Sequence, residues 1–175
     1  MDDVYVRSGH LHSSGFIYKG RAAVKAIDVV GSAAAGILEL WDTDVAPTAA
    51  TYGRSLAVVT VTKNAHGLKT GDFVGISYEE ASGVIATPGN YPITVTDANT
   101  FTITDINSGT IATSTVCRYV SAVVDGNNAR WMATYHTSAS DIFFNGFTIP
   151  GNGLLARISI YVYADELASI NIYYG

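Results

Sequence analysis

Alternation with a period of two runs through most of this chain and restricts its fold more than any other feature. It is clearest in VKAIDVV (Val24 to Val30), GILELWD (Gly36 to Asp42), LARISIYVY (Leu155 to Tyr163) and SINIYYG (Ser169 to Gly175). Successive side chains of an extended chain point to opposite faces, so this pattern makes one face apolar and the other polar or aromatic. In the third stretch Ile158, Ile160 and Val162 share one face, while Ser159, Tyr161 and Tyr163 share the other. Between such stretches lie VGSAAAG, DGNN, PGNG and YADEL, which concentrate residues that tolerate turn geometry. No window carries a helical period of useful length. In DTDVAPTAATYGRS, Pro47 and the threonines predict an irregular loop. The chain is therefore expected to be all-β.

The middle of the chain differs from its ends. Residues 55–120 hold their own closely spaced short strands: SLAVVTVTK, DFVGISY, YPITVTD, TFTITDI and TSTVCRYV. Neither flank alone has enough strands to bury a stable core, but together they have the size of one sandwich. The expected architecture is an antiparallel, jelly-roll-like β-sandwich made of residues 1–54 plus 121–175. A small β-barrel or meander module, residues 55–120, is inserted in one of its loops.

Several function classes lack their usual signals. Charged residues are 14% of the 175, against about 25% in a typical soluble protein. The net charge is −5 and the ten Lys and Arg are scattered singly, so no nucleic-acid partner is expected. Such a surface suits an assembly. Cys117, the only cysteine, reads as a small buried hydrophobe. The opening MDDVYVRSGH has no apolar core of a cleaved signal, and no apolar run is long enough for a membrane span, so no membrane partner is expected either.

AHGLKTGDFVGI, Ala65 to Ile76, is the stretch that most invites a chemical reading. A P-loop would place Lys and Ser or Thr after its last glycine and before a helix; here Lys69 and Thr70 precede Gly71 and a strand follows. A structural reading accounts for each residue instead. Gly67 and Gly71 supply positive φ around a tight connection, Leu68 turns inward as a plug, and Asp72 accepts backbone N–H groups at the turn exit. Asp97 to Phe101, DANTF, reads as a hairpin turn after which Phe101 resumes the apolar face.

The segment VTVTKNAHGLKTGDFVGIS, followed by NYPITVTDANTFTI, resembles the small FCCH-like β-module seen repeatedly in virion proteins of tailed bacteriophages. The likeness covers about residues 57–119, roughly a third of the chain. The family label derives from a ubiquitin-activating enzyme, whose adenylation and thioester machinery has no counterpart here. The flanks GRAAVKAIDVVGSAAAGILELWDTD and DIFFNGFTIPGNGLLARISIYVYADELASINIYYG resemble small virion-associated β-sandwich proteins of tailed phages, apart from the long central insertion. These resemblances imply a viral structural protein: a capsid decoration or cement protein, or a neck, tail or fibre-associated component. Its place would be the virion, assembled in the host cytoplasm. Its partners would be the major capsid protein or other virion proteins, and copies of itself as a homotrimer or other homo-oligomer.

Candidate chemistry is sparse. His10 and His12 point to one face of a strand, but a metal site needs further ligands and only Asp2 and Asp3 lie nearby, so they read as an exposed or interface pair. His66 reads as a turn residue and His136 as a strand edge or subunit contact. The acids Asp42, Asp44, Glu79, Glu80, Asp165 and Glu166 fall in expected loops, where carboxylates are usually solvated. No nucleophile, metalloprotease or cofactor motif is present. The expectation is therefore no catalytic residue, no cofactor and no metal. Aromatic residues are more abundant than one sandwich face requires, and those near the termini, with their neighbours, are the expected interface: Val4, Tyr5, Val6, Phe16, Tyr18, Tyr161, Tyr163, Tyr173 and Tyr174. The first twenty residues read equally as an arm for a neighbouring subunit or as the first strands of the chain's own sandwich. Rival functions are a carbohydrate-binding module with aromatic platforms and a glycan-cleaving enzyme using paired acids.

Overall fold

The computed structural model describes residues 6–32, 34–79, 84–121, 129–137 and 144–175. Among them the chain is all-β, without a helix. The strands run in order β1 (Arg7–Leu11), β2 (Gly15–Lys19), β3 (Ala22–Gly31), β4 (Gly36–Asp42), β5 (Thr48–Thr62), β6 (Phe73–Tyr78) and β7 (Gly89–Pro92). They continue as β8 (Thr94–Asp97), β9 (Thr100–Ser121), β10 (Arg130–Thr137), β11 (Phe144–Thr148), β12 (Leu154–Ala156), β13 (Ser159–Asp165) and β14 (Leu167–Tyr174). Two compact units result, one of residues 1–46 with 132–175 and the other of residues 47–131.

The first unit is an antiparallel sandwich. One sheet has the order β1-β14-β3-β11, with β12 also on β3, and the other has the order β10-β4-β13-β2. The alternation explains the core: Ile170, Ile172 and Tyr174 of β14 and Val24, Ile27 and Val29 of β3 cluster with Leu38 and Leu40 of β4 and Ile160 and Val162 of β13. In β3 the buried positions slip from Val24 to Ile27, and the pairing with β14 shifts register between Tyr173 and Tyr174 at the same place. A bulge thus keeps both halves of β3 facing the core.

LARISIYVY is two strands, not one. β12 pairs with β3 in one sheet, and β13 pairs with β4 and β2 in the other, so the chain changes sheets at Arg157 and Ile158. The corner leaves backbone donors without a ladder, and the buried Asp42, at the end of β4, accepts them. Its carboxylate takes the N–H groups of Arg157 at 2.8 Å, Ile158 at 2.8 Å and Ser159 at 3.3 Å. This acid was expected to be a solvated loop residue, and it is fully buried instead. Arg7 to Lys19 supply an edge strand to each sheet, β1 on β14 and β2 on β13, so that part of the chain belongs to its own sandwich.

The second unit is built around one long pair. β5, 15 residues, and β9, 22 residues, run antiparallel from Thr48↔Tyr119 to Thr62↔Thr100. β6 extends the sheet at the late end of β9 and in turn pairs β7, while β8 pairs the early end of β9. Tyr52, Val59, Val61, Val74, Ile76, Tyr78, Phe101 and Ile103 form its core with the buried Cys117. The expected loop through Pro47 is corrected here. Thr48 to Arg54 are strand because Ala50 and Tyr52 alternate inward, and Pro47 stands just before the strand, where its missing N–H breaks no ladder. TFTITDI and TSTVCRYV likewise join into β9, because the unpaired residues Asp105 to Ser108 form a bulge that does not reverse the chain. The division between units falls at 46/47 and 131/132; cuts at 54/55 and 120/121 would pass through β5 and β9.

Replacing Asp42 with Ala strands three backbone donors at a buried corner. The expected loss is about 3 kcal/mol or more in chemical denaturation, and Asp42→Asn, which keeps one acceptor oxygen, should lose less.

Candidate contact surface

The residues of AHGLKTGDFVGI are occupied by the fold. Gly67 (φ 70°) and Gly71 (φ 94°) take the left-handed region, and Leu68 packs against the core of its unit. His66 Nδ1 accepts the Leu68 N–H at 3.0 Å, which leaves Nε2 to donate to the Asp97 carbonyl at 3.1 Å. Its ring meets Phe101 edge-on, with centroids 5.5 Å apart. Asp72 accepts the Lys69 N–H at 2.7 Å, and the Thr70 hydroxyl accepts that of Val95 at 2.9 Å. Gly75 lies against the backbone of Arg130 and Trp131 so closely that a Cβ would stand 2.3 Å from the Trp131 nitrogen. In DANTF, Asp97 accepts the Asn99 N–H at 2.7 Å, and Phe101 is buried. A shallow, mainly apolar hollow lined by His66, Leu68 and Val95 remains beside the loop.

The sequence-selected interface residues scatter. Val4 and Tyr5 lie outside the described residues, and Val6 is exposed. Tyr174 is a member of the sandwich core and Tyr18 packs on it at 5.0 Å between centroids. Tyr161 is buried with Phe16 edge-on against it at 4.9 Å, and Lys19 lies 5.0 Å over the Phe16 ring. Tyr173 donates to Asp28 at 2.8 Å, and Tyr163 is half-buried. Tyr174 and Tyr18 thus serve the sandwich core itself. Trp41 is buried as well, with its indole N–H on Glu39 at 3.1 Å, so it is no exposed platform for a sugar. Among the acids, Glu79 pairs with Arg118, Glu166 accepts the Ser32 hydroxyl at 3.1 Å, and Glu80 lies outside the described residues.

A surface that sequence reasoning missed stands at the bulge between β5 and β9. The ladder has Leu56 opposite Gly109 and Val58 opposite Thr104, so the residues from Asp105 to Ser108 face Ala57 alone. Asp105 turns inward and meets Arg54 at 3.1 Å, with both side chains almost wholly buried. Arg54 also donates from Nε to the Leu56 carbonyl at 3.1 Å and from Nη1 to the carbonyls of Val84 at 3.0 Å and Ile85 at 2.6 Å. Asp105 accepts the N–H groups of Thr87 at 2.8 Å and Asn107 at 3.1 Å. One ion pair thus ties β5, β9 and the segment before β7 together.

What this network holds outward is apolar. Leu56 is 69% exposed, Ile106 82% and Val84 56%. Leu56 is also held at φ 56°, a left-handed conformation that costs a side-chain-bearing residue about 1–2 kcal/mol. Val84 lies beside Gly109, where a Cβ would come within 2.7 Å of its own Cβ, so Val84 sits next to the residue that faces Leu56. Leu56, Ile106 and Val84 are thus exposed apolar side chains around one buried ion pair, and Leu56 stands on a strained backbone. No protein family, no curated protein and no solved structure matches this chain.

Burial alone would push the Asp105 carboxyl up. The N–H groups of Thr87 and Asn107, the Thr87 hydroxyl and the Arg54 guanidinium outweigh it and hold the group below the usual aspartate value. The stabilisation this gives is complete above the unfolded value of about 3.9 and is lost as pH falls through the lower, folded one. Asp105→Asn should cost about 3 kcal/mol at neutral pH, because it leaves Arg54 buried without its counter-charge. It should also flatten the acid limb of stability against pH, measured by denaturant titration.

Proposed function

We propose that this chain is a non-enzymatic structural protein of a tailed-phage virion, a capsid decoration or cement protein that stabilises the shell by adhesion. In this reading the second unit is an FCCH-like module inserted in the sandwich. The observation that carries the proposal is the apolar projection of Leu56, Ile106 and Val84 on the Arg54–Asp105 network. Around it, the polar side chains most suited to chemistry are occupied by backbone groups. The resemblance of residues 57–119 to virion modules supports the same class. The partner is the major capsid protein or a neighbouring copy, and many modest contacts repeated by symmetry supply the stabilisation.

Quantitative mass spectrometry of purified particles of the phage that encodes the chain tests this. A decoration protein is expected at hundreds of copies per particle, on the order of the capsomer number, whereas roughly six to thirty copies would move the assignment to the neck or tail. Absence from the particle would end it. Leu56→Gly relieves the backbone strain while removing the exposed side chain, so its denaturation midpoint should equal or exceed that of the parent. Particles lacking the protein should nevertheless bind this variant more weakly than the parent, and equal binding would show that the bulge is not the contact.

A further inference from the structure

His10 and His12 flank the end of edge strand β1, and their imidazoles meet at a hydrogen-bond distance, Nε2 to Nε2 3.0 Å. The two rings stand nearly perpendicular, with centroids 4.5 Å apart. Their other nitrogens are fixed by the neighbouring strand β14. His12 Nδ1 lies 3.0 Å from the Ala168 carbonyl, which can only accept, so that nitrogen carries the hydrogen. His10 Nδ1 lies 2.7 Å from Asn171 Oδ1, an acceptor of the same kind. With the hydrogens of both rings on Nδ1, the two Nε2 atoms face one another as acceptors.

Two such acceptors are satisfied by a proton held between them as a hydrogen bond or by a metal ion beside both, and metal titration separates the two. The arrangement is also that of metal-binding histidines, in which the second ring nitrogen donates to a carbonyl or amide oxygen and so fixes tautomer and ring orientation. With metal–nitrogen bonds of about 2.0–2.1 Å, two cis ligands stand about 2.9 Å apart at a right angle and about 3.4 Å apart at a tetrahedral angle. The observed 3.0 Å falls near the right-angle end. Among the described residues no third His, Cys, Asp or Glu joins the pair.

We propose that His10 and His12 form a two-imidazole chelate for a borderline divalent transition ion with tetragonal or octahedral preference, of the Ni²⁺ or Cu²⁺ class, with water completing the coordination. This revises the expectation of no metal. The pair alone, as His-x-His on a strand, said only that both rings share a face; the fixed Nδ1 partners on β14 are what make it a donor set. The site lies in the sandwich unit and does not depend on the contact proposed for the bulge.

The test is calorimetric titration of Ni²⁺ into the full chain without an affinity tag at neutral pH, with His10→Gln, His12→Gln and His136→Gln beside the parent. One equivalent should bind to the parent and to His136→Gln, and each of the first two variants should lose about tenfold or more in affinity, as a chelate does on losing an arm. No binding to the parent, or binding unchanged in either of those two, overturns the proposal. Nitrogen-15 imidazole spectra of the parent chain decide independently of how the variants fold. Substoichiometric Ni²⁺ should broaden the Nε2 resonances of His10 and His12 ahead of those of His66 and His136, and uniform or absent broadening contradicts the site.

Discussion

In the described part of this chain no helix satisfies its own backbone, so every buried N–H and C=O must find a neighbouring strand or a side chain. Ladders meet the demand along the strands and fail wherever a strand turns a corner, bulges or ends. At those breaks the fold places its few charged and polar side chains. Asp42 takes the donors of the corner between β12 and β13. Arg54 and Asp105 take the carbonyls and N–H groups of the bulge between β5 and β9. His66, Asp72 and Asn99 do the same in the loop after β5. At the Asp42 corner and the Arg54–Asp105 bulge, deleting the side chain leaves buried backbone groups without a partner.

The same constraint bears on function. A carboxylate that holds three backbone donors, or a guanidinium that holds three carbonyls, is not available to move protons or to grip a substrate. The glycine-rich stretch that most resembles a chemical motif is a loop closed by its own side chains, and its histidine is tied at both ring nitrogens. Among the described residues of the second unit, Leu56, Ile106 and Val84 are exposed apolar side chains, and Leu56 stands on a strained backbone. The adhesion we propose between subunits would use these side chains, and the chelate proposed at the histidine pair of β1 belongs to the other unit.

Local pattern and long-range consequence divide what the sequence could reveal. The strands VKAIDVV and GILELWD were legible from their apolar repeats, and β4 runs from Gly36 to Asp42 as read, although Glu39, Trp41 and Asp42 are buried as well as Leu38 and Leu40. The glycines of the loop, the inward Leu68 and the DANTF hairpin were legible because their backbone chemistry is set within a few residues. The sheet change at Arg157 was not, since alternation continues across it and its acceptor is 115 residues away. The bulge was hidden for the same reason: Arg54 and Asp105 look like ordinary strand charges until β5 and β9 are laid side by side. Aromatic abundance does not separate surface from core: Tyr174 belongs to the sandwich core, while the apolar residues exposed at the bulge are aliphatic. A leucine followed within a few residues by β-branched ones carries no mark of a left-handed backbone.

Adhesion through the bulge between β5 and β9 is the central claim, and a cryo-electron-microscopy reconstruction of the intact particle tests it most directly. The account predicts that density for this chain repeats over the shell, with Leu56, Ile106 and Val84 seated against a capsid subunit or a sister copy. A particle in which the chain is present but those three side chains face solvent, with the contact made elsewhere, would contradict it.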